Sequence, residues 1–316
     1  MKKILVTGAS GFIGYSVCNA LSRLGKNVCG AVRNINSLTN DNMFEYISVG
    51  EIGPETKWKK ALEKIDCIIH CAGKVDEINK KKDLDAYRLV NIDGTKRLAE
   101  QAASIGVKRF VFLSSIKVNG ENTCEIDNNK IFTNNDIPFP KNAYSISKFE
   151  AEKVLWEVSS ITGLELVVLR LPLVYGFGAK ANLLRLIKLI NFGIPLPFGL
   201  IKNQRSLIGI DNLVDVLIKC IDCPEANGKI FLVSDGQDLS TPDLLRHIAS
   251  AMGCKVRFFP FPISLLKLLG FFIGKSSEID RLIGSLQVDI EYTKKILNWS
   301  PPISTKEGIR RMVQGK

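Results

Sequence analysis

The feature that most limits what this chain can fold into is a glycine-rich turn near its start. Thr7-Gly8-Ala9-Ser10-Gly11-Phe12-Ile13-Gly14 directly follows the apolar run Lys3–Val6 and opens a helical pattern over Phe12–Leu24. Glycines at 8, 11 and 14 allow a tight turn, close approach of the backbone to a pyrophosphate, and close helix–strand packing. The helix start also presents unpaired N–H groups and the positive end of a dipole to phosphate. On its own such a trio marks any tight strand-to-helix turn, so its weight depends on the elements around it.

Those elements alternate. Strand-like runs at Val28–Val32, Phe44–Val49, Ile65–His70, Phe110–Ser114 and Leu166–Leu169 are interleaved with helical stretches, notably Asp83–Ile105 and Ala143–Ser160. Parallel strands need long crossovers, so this rhythm predicts a doubly wound parallel α/β sheet of Rossmann type, with the glycine turn at its first βα junction. After Pro172 the rhythm changes. A helix is expected over Asn182–Ile190, a loop over 193–199, strands over Ser206–Ile210 and Ile230–Val233, and a helix over Asp211–Cys220. Thr241–Met252, Val256–Phe259 and Ile263–Ile273 then suggest a smaller α/β lobe. The expected division is residues 1–175 as the dinucleotide domain, completed by parts of 206–235, and 176–316 mainly as a substrate lobe.

The end of the second strand bears on which dinucleotide is bound. An acid there takes ribose hydroxyls in NAD sites, whereas an arginine accommodates a 2′-phosphate. Val32 is followed by Arg33-Asn34, with no acid before Asp41, which favours NADP and leaves NAD open. Glu51 and Ile52, after the third strand, are candidates to flank an adenine. Further on, Tyr144-Ser-Ile-Ser-Lys148 places a phenol and an ammonium on one helix face, about 6 Å apart along the axis. An adjacent cation favours phenolate and makes a tyrosine a usable acid/base near neutral pH. The strand Phe110–Ser114 ends in Ser114-Ser115, hydroxyls at the edge where doubly wound sheets bind ligands.

The glycine loop, the Ser-Ser strand end and Tyr-x-x-x-Lys, in this order and spacing, resemble the extended short-chain dehydrogenase/reductases. More narrowly the chain resembles the NAD(P)-dependent epimerase/dehydratase group acting on nucleotide sugars. The resemblance includes Ile69-His70-Cys71-Ala72-Gly73, Asn91-Ile-Asp-Gly-Thr95, Leu169–Gly176, Arg205–Asp211 and Leu297–Pro301. It implies Tyr144 as acid/base, Lys148 as the residue that orients the nicotinamide ribose and tunes the phenol, and Ser115 as the catalytic hydroxyl, with Ser114 nearer the cofactor. It further implies Gly8, Gly11, Phe12, Ile13 and Gly14 at the phosphates, and Ala72, Gly73 and Asn91 along the cofactor. Pro172 falls near the nicotinamide, and Arg205, with Asn182 a weaker candidate, on the substrate diphosphate. A homodimer through the helices Asp83–Ile105 and Ala143–Ser160 is also implied.

Departures from the group's pattern narrow the reaction. Sugar dehydratases of the group carry an acidic pair after the catalytic hydroxyl, where this chain has Ile116 and Lys117, so dehydration is disfavoured. Asn119 stands where the group usually has Tyr. Arg33 favours a cofactor consumed at each turnover, and the stretch Leu113–Glu121 resembles bacterial 4-keto-6-deoxy-hexosamine reductases of surface-polysaccharide synthesis. The expectation is therefore NADPH-dependent reduction at C4 of a UDP-linked 4-ketose. The alternatives are a UDP-sugar 4-epimerase using bound NAD, and a non-catalytic dinucleotide-binding sensor or scaffold.

Composition supplies the exclusions. The chain has 316 residues, 46% hydrophobic, ample for a buried core. Its net charge of +11 suits an anionic ligand, but its one lysine triplet, Lys80–Lys82, sits between elements without the aromatic interleaving of a nucleic-acid site. Eight cysteines lie mostly in apolar context, Cys220 and Cys223 have no second CxxC, and the two histidines are distant, so no metal site is expected. The apolar run after Met1-Lys2-Lys3 is too short for a secretory signal, which suggests a cytoplasmic protein with reduced thiols. The apolar stretch 258–274, broken by Pro260 and Pro262, is too short to span a membrane. A membrane-surface helix would suit the basic balance, but its length and missing polar face favour a lobe helix packed beside the cleft.

Overall fold

The structure is a computed structural model, and it describes residues 2–35, 43–75, 84–123, 131–179 and 182–315, without the side chains of 182–184. The lysine triplet, Asp83 and Cys124 lie outside the described residues. The strands are β1 (Lys3–Thr7), β2 (Asn27–Val32), β3 (Glu45–Ser48), β4 (Cys67–His70), β5 (Arg109–Ser115), β6 (Glu165–Leu171), β7 (Leu173–Tyr175), β8 (Leu207–Gly209) and β9 (Lys229–Leu232). Seven of them form one sheet in the order β3-β2-β1-β4-β5-β6-β9, and every pairing is parallel. The order reverses between β1 and β4, which opens the ligand crevice of a doubly wound sheet at their C-terminal ends.

Strand side chains alternate between two cores. Ile4 and Val6 of β1 pack on one face with Val17, Leu21 and Leu213, while Leu5 faces Trp58, Leu98 and Leu155 on the other. With helices on both faces, β5 is buried along its whole length, which is why it reads as an unbroken apolar run before its two serines. Each of these fully buried aliphatic side chains contributes about 1.5–3 kcal/mol over leaving it exposed.

The helices are α1 (Phe12–Arg23), α2 (Leu84–Arg88), α3 (Gly94–Ile105), α4 (Ala143–Thr162), α5 (Asn182–Asn191), α6 (Ile210–Asp222), α7 (Thr241–Ala251), α8 (Ile263–Phe272), α9 (Ser276–Ile283), α10 (Glu291–Leu297) and α11 (Thr305–Gln314). The single helix expected to end at Ile105 is instead α2 and α3 joined by a π-helical turn, Leu89–Asp93, and closed by Gly106 in the left-handed region. An extra residue in such a turn re-aims side chains, here Asn91. α4 has reciprocal capping by Asn142 and Ser145 at its start and left-handed Gly163 at its end, so it is rigidly bounded where Tyr144 emerges.

Two expectations for the second half change. Of the expected strands, β9 joins the main sheet beside β6, but β8 pairs with β7 in a separate two-stranded sheet. Val256–Phe259 forms no strand, only an isolated bridge from Phe258 to Leu196; Pro260 and Pro262, lacking N–H donors, stop the pairing there. A third core gathers Tyr175, Leu196, Phe198, Leu245, Ile248 and Ile309. Among the described residues no helix is long and apolar enough to cross a membrane.

Candidate active site

The glycine turn leaves β1 through Gly8, whose φ of +67° is the left-handed conformation that favours glycine. Gly14 is the tightest position: a Cβ there would stand 2.2 Å from Gly8 O. Gly11 N donates to Gly8 O at 2.9 Å, and Gly11 begins α1 in extended conformation with no side-chain cap, so the first N–H groups of α1 are left facing the crevice. Phe12 turns toward the end of β7, where a Cβ on Gly176 would meet its ring at 3.1 Å. Ile13 is half-buried against the core.

The turn is braced by a residue to which the sequence pattern assigns no role of its own. His70, at the end of β4, is buried with Nδ1 2.7 Å from Thr7 Oγ1 and Nε2 3.0 Å from Thr95 Oγ1. Thr7 Oγ1 accepts in turn from Ala72 N at 3.1 Å. Burial, with Lys148 adding to it, pushes the imidazole down to about 3, so it stays neutral and acts as a hydrogen-bonding strut between β1, β4 and α3. Asn91 plays a similar part. Its Oδ1 accepts from Lys74 N at 2.7 Å, and its Nδ2 donates to Lys74 O and Ser147 Oγ. Both ends of the amide are thus committed to protein, which holds the Ala72-Gly73-Lys74 segment against α4. Gly73 lies so near α4 that a Cβ on it would be 3.3 Å from Lys148 Nζ.

At the other end of the crevice, Glu51, Ile52 and Gly53 line an open cleft of about 410 Å³ with Leu89. Ile52 packs on Gly94 of α3, where a Cβ would approach its Cγ2 to 2.5 Å. Arg33 reaches this rim but is paired with Glu51, Nη1 to Oε1 3.4 Å, both side chains largely exposed. The phosphate-facing N–H groups, a turn that admits no Cβ on Gly14, and the cleft beyond β3 together fit a bound dinucleotide.

The catalytic candidates converge on α4 and the end of β5. Lys148 is buried, donates to Leu113 O at 2.8 Å and sits 4.6 Å over the Phe112 ring. Burial lowers its ammonium from 10.5 to about 8, with Cys71 and Glu152 drawing it partly back. Tyr144 lies one turn earlier on the same face, its ring edge-on to Tyr87 at 6.4 Å. Ser115 is buried and starts a short 3₁₀ turn, Ile116–Val118, with Oγ accepting from Lys117 N at 3.3 Å. Pro172 is buried between β6 and β7, at the crevice end of the sheet.

Ser114 is differently engaged. Successive strand residues face opposite ways, and its hydroxyl donates to Glu152. Glu152 is one turn beyond Lys148 and forms a bidentate, buried ion pair with Arg170 of β6, Nη2 to Oε2 2.6 Å. Arg170 also donates to Asn119 Oδ1 at 2.9 Å, and Asn119 Nδ2 to Thr133 O. The residue that departs from the usual Tyr is therefore an inward-facing link in this network. The sequence holds two signals for it: a carboxylate in the Tyr144, Lys148, Glu152 row at four-residue spacing, and a lone arginine in the apolar strand Glu165–Leu171.

The substrate-side candidates are less gathered. Asn182 begins α5, and its side chain lies outside the described residues. Arg205 is held by Nη1 donating to Arg281 O and Gly284 O at 2.9 and 3.0 Å, which ties it to the end of α9. The CxxC pair is structural in its surroundings: burial raises the Cys220 thiol, and Cys223 meets Glu225.

Residues 4–234 match the profile of the NAD dependent epimerase/dehydratase family. A UDP-glucose 4-epimerase of Vibrio cholerae is 42% identical over 99% of this chain and 95% of its own length. An N-acetyl-alpha-D-glucosaminyl-diphospho-ditrans,octacis-undecaprenol 4-epimerase of Escherichia coli O157:H7 is 24% identical over 83% of this chain and 77% of its own. Among solved structures, a UDP-glucuronic acid 4-epimerase from Bacillus cereus, in complex with UDP-glucuronic acid and NAD, superposes with a TM-score of 0.79 at 23% identity. That match covers 99% of this chain and 98% of the other.

Proposed function

The chain belongs to the NAD dependent epimerase/dehydratase family, and from that premise we propose that it is a UDP-sugar 4-epimerase working with bound NAD. The observation that carries this reading is the 42% identity, over almost the full length of both chains, to a UDP-glucose 4-epimerase. It favours the epimerase alternative over the reduction expected from Arg33. The pairing of Arg33 supports the same choice of cofactor. A guanidinium already facing the Glu51 carboxylate is a poor seat for a 2′-phosphate dianion, which the carboxylate would repel. The acid/base row on α4 and β5 argues against the scaffold reading, since Tyr144, Lys148 and Ser115 are all present.

In this mechanism a bound nicotinamide supplies the acceptor, and then the donor, of the C4 hydride. Tyr144 takes the proton of the 4-hydroxyl as oxidation proceeds and returns it to the same oxygen on reduction. Ser115 Oγ holds that oxygen by a hydrogen bond, which strengthens as negative charge develops on it. Lys148 would hold the ribose of a bound nicotinamide nucleotide, and its positive charge stabilises the Tyr144 phenolate. Between the two transfers the ketose turns over so that its opposite face is presented. Ile116 and Lys117 provide no carboxylate to remove a C5 proton, so water is not eliminated. The N–H groups at the start of α1 would hold the pyrophosphate of the dinucleotide, and Glu51 with Ile52 would flank its adenosine end. The protein acts as a homodimer through α2, α3 and α4, which sedimentation velocity checks.

A second reading replaces the uridine diphosphate with a polyprenyl diphosphate, the substrate type named for the E. coli relative; the exposed apolar helix α8 favours it. Acid release of the dinucleotide from purified protein tests the main reading. NAD without a 2′-phosphate, near one per chain, is expected. NADP, or turnover only of a 4-ketose with added NADPH, would overturn it in favour of a reductase.

A further inference from the structure

Helix α8 and the segment before it do not pack as the sequence leads one to expect. In Phe258–Gly274 the only charge is Lys267. An isolated helix that is apolar on all sides belongs in a core or against lipid. Here α9 covers one side: Leu266 and Gly270 are buried, and Gly270 lies so close to Ile279 that a Cβ would meet its Cγ1 at 2.6 Å. The remaining side chains face outward. Leu265, Leu268 and Leu269 are about half exposed, and Phe271, Phe272 and Ile273 are 71%, 74% and 64% exposed, with Phe259 and Ile263 extending the patch. Isolated apolar side chains on a surface need no explanation, but a contiguous set on one helical hairpin does.

The charge around the patch indicates what covers it. Between Cys254 and Lys275 there are four cations, Lys255, Arg257, Lys267 and Lys275, and no acid. The first acids beyond are on α9: Glu278, which faces Arg185 at 3.0 Å and Lys275 at 4.0 Å, and Asp280. Apolar side chains ringed by cations complement an anionic bilayer surface, in which the aliphatic and aromatic groups enter the acyl boundary and the lysines meet headgroup phosphates. At 1.5 Å per residue the ten-residue α8 is about 15 Å long, half the hydrocarbon thickness, so it lies in the surface rather than crossing it.

We propose that α8, with the Phe258–Pro262 approach to it, docks this protein on an anionic lipid bilayer. The same hairpin carries the consequence inward, because the carbonyls of Arg281 and Gly284 at the end of α9 hold Arg205. Docking thus sets the substrate lobe against the membrane. The inference is independent of which sugar the site turns over.

The test is co-sedimentation of the full-length protein with vesicles of phosphatidylcholine alone and of phosphatidylcholine with one-third phosphatidylglycerol, at low and high salt. Binding is expected to the anionic vesicles, weakening with salt, and to fall at least about tenfold in Phe271→Ser/Phe272→Ser, from the loss of two buried aromatic groups. Lys267→Glu/Lys275→Glu is expected to lose about fivefold per lysine, with UDP-sugar turnover unchanged in both variants. A third variant, Phe271→Trp, keeps the face apolar, and its indole fluorescence is expected to be quenched by brominated acyl chains. No binding, equal binding to both vesicle types, or indole fluorescence that brominated lipid leaves unchanged would overturn the proposal. So would a lipid-free oligomer that Phe271→Ser/Phe272→Ser converts to smaller species, since a second copy would then cover the face.

Discussion

Replacing Lys148 with methionine should abolish turnover yet leave the protein more stable at neutral pH. The ammonium is buried and its pKa is lowered from 10.5 to about 8, chiefly by loss of hydration. At about 1.4 kcal/mol per unit, carrying that charge into the fold costs about 3 kcal/mol below pH 8. Methionine removes the cost but orphans the Leu113 carbonyl and the contact over Phe112, a loss of about 1–2 kcal/mol. The net expectation at pH 7 is a gain of about 1–2 kcal/mol. The sign with pH follows from proton binding. Between 8 and 10.5 the folded lysine is deprotonated while the unfolded one still holds its proton, so wild-type stability rises with pH in that window. The difference between variant and wild type should therefore shift by about 2.5 kcal/mol in favour of wild type from about pH 7 to about pH 10. Urea unfolding of both proteins, freed of dinucleotide, at those two pH values measures it. A difference that stays constant with pH, or a variant less stable by more than about 1 kcal/mol at pH 7, would refute the idea that the catalytic charge is held at a cost in stability.

The buried pair one turn further along α4 should behave in the reverse sense. Glu152→Gln leaves Arg170 charged and unpaired, and is expected to destabilise by about 3–5 kcal/mol in chemical unfolding, with Glu152→Gln/Arg170→Met recovering most of the loss. Gly14→Ala drives a methyl against Gly8 O, so dinucleotide affinity by isothermal titration should fall at least about tenfold while the far-UV spectrum is kept. Tyr144→Phe should lower kcat about 10²–10⁴-fold with dinucleotide still bound; a smaller loss would move the acid/base role elsewhere.

The reach of the sequence differs between levels for identifiable reasons. The parallel order of the sheet is legible because alternating apolar runs and a glycine turn are local patterns that topology rules then connect. Tyr144, Lys148 and Ser115 are legible because two lie four residues apart on one helix and the third ends an unbroken apolar strand. The strut formed by His70 with Thr7 and Thr95 is not, since it joins residues 63 and 25 positions apart that only the pairing of β1 with β4 and the packing of α3 bring together. The sequence pattern points Asn91 at the cofactor, whereas its amide is consumed by Lys74 and Ser147; the π-turn that re-aims it has no sequence signature. Arg33 looks unpartnered in the sequence because Glu51 arrives from a different strand end. The outward face of α8 is illegible because composition alone cannot tell an apolar helix that is covered from one that is not.

Reversible chemistry at C4 with a retained NAD can be probed without any added cofactor. Purified protein is incubated with UDP-glucose or UDP-N-acetylglucosamine alone, and the products are followed by proton NMR. The expected result is the 4-epimer, approached from either side, and its loss in Tyr144→Phe. An unchanged substrate, alongside turnover of a 4-ketose sugar nucleotide that consumes added NADPH, would contradict a 4-epimerase.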